Sequence, residues 1–145
     1  MSSYNIRIYG IYLHEQRVLV SDEFRMGMLM TKFPGGGIEE GEGTIDALRR
    51  ECIEEFHQAF EVGEHFYTTD FYIHSAFNTS QQLLSIYYFI EPIQPIQFSI
   101  SETAFDFERV DGAQSFRWIH LRDLSEESFT FPIDKHVARL LQAKL

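Results

Sequence analysis

The run Phe33-Pro34-Gly35-Gly36-Gly37, followed after a few residues by an amphipathic stretch dense in glutamate, constrains this chain more than any other part of it. Three consecutive glycines permit positive φ and close backbone approach, so the run reads as a loop. From Thr44 to His57 the apolar residues Ile45, Leu48, Cys52 and Phe56 fall at steps of three, four and four, which predicts a helix packed on a core by that stripe. Thr44 is placed to cap its start.

Between Glu39 and Glu55 seven acids face two bases, a net of −5 out of a whole-chain −10. Half of the excess charge therefore sits in one loop and helix. At about 100° per residue, Glu51, Glu54 and Glu55 share an arc of roughly 100° beside the apolar stripe, with small Ala47 one turn earlier leaving room for a ligand. Like charges at these spacings destabilise a helix by roughly 0.2–0.5 kcal/mol per pair, and no lysine interrupts the arc. A divalent cation relieves the repulsion, and hard cations such as Mg²⁺ take carboxylate oxygens while keeping positions for water and phosphate. The bland alternative is a solvated acidic face.

The remaining pattern is that of one α/β domain. Ile6 and Ile8 alternate with polar neighbours between Tyr4 and Leu13, and Val18-Leu19-Val20 follows a polar turn, so a hairpin opens the chain. Aromatic and β-branched runs over Phe66–Phe77 and Leu83–Ile90 predict two further strands around a polar turn. Residues 97–112 show no period and carry Glu102, Asp106, Glu108 and Asp111, which reads as a long, mobile loop. Ser115–Ile119 is a last strand, and Val137, Leu140 and Leu141 mark a helix after Pro132. With 145 residues, 44% hydrophobic, and no repeat or linker, a single domain over 1–145 is expected.

Gly36, five residues, Glu42, seven residues, then Arg50-Glu51-Cys52-Ile53-Glu54-Glu55 resembles the Nudix box, preceded here by Phe33-Pro34-Gly35. Trp118-Ile119-His120-Leu121 with Asp123-Leu124 resembles the family's last strand and turn. Two positions depart from the box: His57 stands where a glycine ends the helix, and Gln58 where an apolar residue is usual, which leaves helix termination open. The resemblance implies an α/β/α sandwich around a mixed sheet and hydrolysis of a nucleoside diphosphate linked to another moiety, by water attack on phosphorus. It implies Mg²⁺, or Mn²⁺, held by Glu51, Glu54, Glu55 and the Gly36 carbonyl, with Arg50 orienting a box glutamate and Glu42 in a supporting role. The proton acceptor is Glu55 or one of the late-loop glutamates, Glu102 and Glu108. Lys32 replaces an acidic residue common in the family, which either removes a metal contact or adds a phosphate contact. Phe24 and Tyr72 are candidates for stacking on a base.

The competing functions are weaker. A catalytically silent Nudix domain that senses a nucleotide has no need to keep strained carboxylates together. A prenyl-diphosphate isomerase uses a cysteine facing its substrate, whereas Cys52 lies on the apolar stripe. The six histidines lack the close pairing of a zinc site. With 22 Asp+Glu against 12 Lys+Arg, the chain repels a phosphate polymer, so the expected partner is a small nucleoside diphosphate derivative, with a second copy of the chain allowed. One cysteine, no basic-apolar leader and no apolar run long enough to span a bilayer predict a cytoplasmic protein without membrane attachment.

Overall fold

A computed structural model describes residues 3–144. In chain order its elements are β1 (Ser3–Ile11), β2 (Leu13–His14), β3 (Arg17–Arg25), β4 (Met28–Lys32), β5 (Gly35–Gly37), α1 (Thr44–Phe56), β6 (Phe60–Thr68), β7 (Gln81–Pro92), β8 (Ala113–His120) and α2 (Pro132–Ala143). They form two compact units interleaved along the sequence, residues 3–11 with 35–96 and residues 12–34 with 97–144.

The first unit is a sheet in the order β5-β1-β7-β6 with α1 against it. β1 and β7 run parallel over nine paired residues while the outer pairs are antiparallel, so the sheet is mixed. The glycine run is therefore not a plain loop: Gly35–Gly37 pairs with Arg7–Tyr9 as an edge strand. Gly35 is required by that pairing, because a Cβ on it would lie 2.1 Å from the Ile8 carbonyl oxygen. The helix follows the periodicity with one change of face. Ala47, Leu48, Cys52 and Phe56 are buried and Ile45 is 42% exposed, so Ala47 belongs to the core and does not leave an open space. Phe56 packs on Phe60 across the turn into β6, ring centroids 4.8 Å apart.

Both helix ends differ from the simplest reading. Gly43, not Thr44, is the N-cap, and the Thr44 hydroxyl instead shares a 2.8 Å hydrogen bond with the Tyr88 hydroxyl. At the other end His57 adopts φ 57 and ψ 28, and its N–H donates to the Ile53 carbonyl at 2.9 Å. The left-handed cap is thus kept without the glycine. β6 ends at Thr68, well before Phe77, because the Tyr67 hydroxyl donates to Asp70 at 2.6 Å and Thr69 turns its own hydroxyl onto the Ser85 carbonyl.

In the second unit β3 is the hub, pairing with β2, β4 and β8. Val18, Leu19 and Val20 are fully buried in succession, so both faces of the strand are covered. Ser21, Asp22 and Glu23 continue the buried run with polar side chains. Buried polar groups persist only with partners, and these have them: Ser21 donates to Glu23 at 2.9 Å, Gln114 to Ser21 at 2.9 Å, and Thr31 to Asp22 at 2.7 Å. α2 begins on Pro132, whose missing N–H costs nothing in the first turn, and buries Ile133, Val137, Ala138 and Leu141.

The segment 97–112 is irregular, as its sequence suggests, but it is tied down. Ser101 N–H donates to the Phe116 carbonyl, Phe105 N–H to Asp22, Gly112 N–H to the Phe24 carbonyl, and Asp111 accepts from Met26 N–H. These anchors reach across the chain, so no local pattern announces them. The expected mobility is replaced by a pinned loop.

A side chain in the left-handed region costs roughly 1 kcal/mol relative to glycine, and the His57 side chain is exposed. Replacing His57 by glycine is therefore expected to raise unfolding stability by about 0.5–1 kcal/mol in urea denaturation. Unchanged or reduced stability would show that the imidazole makes a compensating contact.

Candidate active site

The acidic face of α1 is organised by one guanidinium. Arg50 grips Glu42 with both arms of its fork, Nε at 2.6 Å and Nη2 at 2.9 Å. The same Nη2 donates to the Gly37 carbonyl at 2.9 Å, while Nη1 reaches Glu51 and Glu54, each at 3.1 Å. One cation therefore spans the glycine strand, the following turn and one turn of helix. Glu42 also accepts from Glu39 N–H at 2.9 Å, which closes the turn between β5 and α1. The hydrogen bonds from Arg50 hold the Glu42 carboxyl below the usual carboxylate range, and the Glu42 contact in turn pushes the Arg50 guanidinium above its ordinary value.

Glu51 and Glu55 are fixed against the glycines themselves. A Cβ on Gly36 would lie 2.3 Å from Oε1 of Glu51, so the carboxylate occupies the space that only glycine leaves. Glu55 Oε2 accepts from Gly35 N–H at 2.9 Å. Glu51 follows buried Ala47 by one turn, which explains why it is only 13% exposed whereas Glu54 is 57% exposed. Burial, followed by the neighbouring charge of Glu54, raises the Glu51 pKa; Arg50 and Arg7 oppose the rise.

Three carboxylates beside a glycine backbone are hard oxygen donors of the kind Mg²⁺ and Mn²⁺ take. The seating of Glu51 on Gly36 fits that use, because it brings a charged ligand to a backbone that has no side chain to obstruct an ion. Among the described residues no three acidic, histidine or cysteine side chains already converge as a finished ligand set. Glu51 and Glu54 are instead turned to Arg50.

The other candidates lie on other elements and connecting segments. Lys32 is buried, with its ammonium 3.4 Å from Glu23, an ion pair the sequence does not reveal. Phe24 is half-buried on β3, Tyr72 is 71% exposed between β6 and β7, and Glu102 and Glu108 are exposed on the 97–112 segment. Sequence reasoning missed Arg7, whose Nη1 would lie 3.3 Å from a Cβ on Gly37 and whose Nε donates to the Tyr9 hydroxyl at 3.1 Å. The available signal was a basic residue alternating with Ile6 and Ile8 on the first strand. It also missed the pairing of Asp22 with Arg117, for which nothing local gives a cue.

A family model of the NUDIX domain matches residues 4–141. The chain belongs to the Nudix family. Solved structures agree in fold: a MutT protein from Methanosarcina mazei Go1 has a TM-score of 0.67 at 14% identity, with 99% of this chain and 96% of that chain covered. A Nudix hydrolase from Nitrosomonas europaea has a TM-score of 0.64 at 17% identity, over 98% and 90% of the two chains. An ADP-ribose pyrophosphatase from Streptococcus suis has a TM-score of 0.59 at 15% identity, over 98% and 92%. These likenesses show the α/β/α Nudix fold. No curated protein sequence matches. Among the described residues no helix is long and apolar enough to cross a membrane.

Cys52 lies under this acidic face, and burial, then the charges of Glu55 and Glu51, push its thiol up to about 12. A raised pKa means that the fold favours the neutral thiol, so this contribution to stability is complete below the free-cysteine value and is lost as pH climbs toward about 12. At about pH 8 the native thiol is expected to react with a disulfide reagent at least about 10²-fold more slowly than the unfolded chain. Equal rates would place Cys52 at the surface.

Proposed function

We propose that this protein hydrolyses a nucleoside diphosphate linked to another moiety, with Glu51, Glu54, Glu55 and the Gly36 carbonyl holding Mg²⁺ or Mn²⁺. The observation that carries the reading is the bracing of like-charged carboxylates by Arg50 against a glycine backbone. Bound there, the cation neutralises pyrophosphate oxygens and stabilises the charge that develops as water attacks phosphorus.

The chain's own contribution is preorganisation. Arg50 fixes the turn through Glu42 and Gly37, so Glu51 and Glu54 are held near one another before substrate arrives. Gly35 N–H orients Glu55. Glu54, the most exposed of the three, is free of packing constraints and turns from Arg50 toward a ligand at least cost. Glu55, Glu102 and Glu108 remain the candidates for accepting the proton from water, and Lys32, Phe24 and Tyr72 for contacting the substrate. The ADP-ribose pyrophosphatase neighbour supports a small nucleotide derivative as the substrate class.

The test is a panel of nucleoside triphosphates, nucleotide sugars and dinucleoside polyphosphates, assayed with Mg²⁺, with Mn²⁺ and with chelator. Turnover is expected only with metal, and Glu54→Gln is expected to lower kcat by about 10² or more while melting normally, since a carboxylate facing a charged transition state is lost. Full turnover by a well-folded Glu54→Gln protein would remove Glu54 from the metal site. Binding of nucleotide without hydrolysis of any member would favour a sensing domain.

A further inference from the structure

Residues 3–11 and 35–96 carry eleven acids against three bases, Arg7, Arg49 and Arg50. A phosphate chain that reaches this unit is repelled by most of its charge, so the placement of each cation matters. Arg50 has no donor to spare. Its five N–H groups go to Glu42 twice, to the Gly37 carbonyl, to Glu51 and to Glu54. Arg49 is more than half exposed on α1 and lies 3.9 Å from Asp46. Arg7 has a different setting.

Arg7 is half-buried on β1, directly opposite Gly37 of β5. Side chains alternate along a strand, and the glycine strand uses both of its faces. The space a Cβ on Gly36 would need is taken by the Glu51 carboxylate, whereas a Cβ on Gly37 would meet Arg7 Nη1 at 3.3 Å. The backbone at Gly37 is not left-handed, so what its missing side chain provides is room for the guanidinium. Tyr9 fixes the same group: its hydroxyl accepts from Nε at 3.1 Å, and its ring centroid lies 5.8 Å from the guanidinium carbon. Tyr9 is itself buried and packs on the fully buried Tyr87, with ring centroids 5.3 Å apart. This anchor is uncharged, so it locates the guanidinium without neutralising it. β5 is the outermost strand of its sheet, and a short path around its edge joins the Glu51 face to the Arg7 face.

We propose that Arg7 is the phosphate-contacting cation of this unit, its guanidinium donating to nonbridging oxygens of the substrate pyrophosphate from the place that Gly37 and Tyr9 fix. A planar fork meets two oxygens of one phosphoryl group at once. The inference rests on the hydrolytic reading above and adds to it a residue outside the acidic helix.

The test compares the unaltered full-length chain with Arg7→Met, which keeps most of the aliphatic stem and drops the charge, and with Arg7→Lys. The substrate is whichever pyrophosphate-linked nucleotide turns over fastest with Mg²⁺, and Mn²⁺ affinity is read separately, without substrate, by electron paramagnetic resonance. Arg7→Met is expected to raise KM at least about tenfold, with a smaller fall in kcat and with Mn²⁺ affinity within about twofold of the unaltered chain. Arg7→Lys recovers part of the loss, and Tyr9→Phe, which loses the hydroxyl and keeps the ring, raises KM by less in the same direction. An Arg7→Met protein that turns over with unchanged KM overturns the proposal and leaves the hydrolytic reading standing. So does a fall in Mn²⁺ affinity that matches the rise in KM, since Arg7 would then act through the carboxylates. Absence of metal-dependent turnover by the unaltered chain on every pyrophosphate-linked nucleotide would instead remove that reading, and the proposal with it.

Discussion

The position of one guanidinium decides whether the acidic helix can exist in its present form. Glu42, Glu51 and Glu54 lie within reach of Arg50, and without it their mutual repulsion would spread them into solvent. A planar fork suits the task in a way an ammonium does not, since it meets Glu42 bidentately while its other edge serves the Gly37 carbonyl and two more carboxylates. The glycines complete the arrangement. Gly35 and Gly36 let Glu55 and Glu51 approach the backbone itself, so the carboxylates are located by contact with the sheet as well as by charge.

The same chemistry recurs in the other unit for a different end. There Arg117 neutralises a wholly buried Asp22, and the carboxylate spends its remaining capacity on Thr31 and on the backbone of the 97–112 segment. A long stretch without secondary structure thereby becomes ordered, at the cost of a strained Phe105. Removing Arg117 would leave Asp22 as an unpaired buried charge, which is far worse for stability than the pair is good for it.

What could be read from the sequence and what could not divides along the range of the interactions involved. The helix over 44–56 and the shared face of Glu51, Glu54 and Glu55 follow from spacing alone, because helical periodicity and the i,i+3 and i,i+4 relations are local. Capping was less legible: Thr44 looked like a cap, but Tyr88, paired to it from a distant strand, takes its hydroxyl. The aromatic composition that begins at Phe66 continues beyond the point where strand pairing stops, after the Tyr67–Asp70 turn, so it overstates the strand. The order of residues 97–112 and the pairing of Lys32 with Glu23 depend on partners brought together by strand register, which no single-sequence pattern encodes. His57 shows the opposite case, a departure from the family glycine that changes the residue and leaves the left-handed cap in place.

The central claim is that Arg50 preorganises the carboxylates for a divalent cation through its fork geometry and not merely through its charge. Titrating Mn²⁺ into chelator-treated protein, with free ion followed by electron paramagnetic resonance, tests it most directly when the unaltered chain is compared with Arg50→Lys. The charge is retained in that variant and the fork is lost, so the account predicts unchanged helix content and Mn²⁺ affinity weaker by about 10–100-fold, as for removal of a group that orients metal ligands. Equal Mn²⁺ affinity in the two proteins would contradict it.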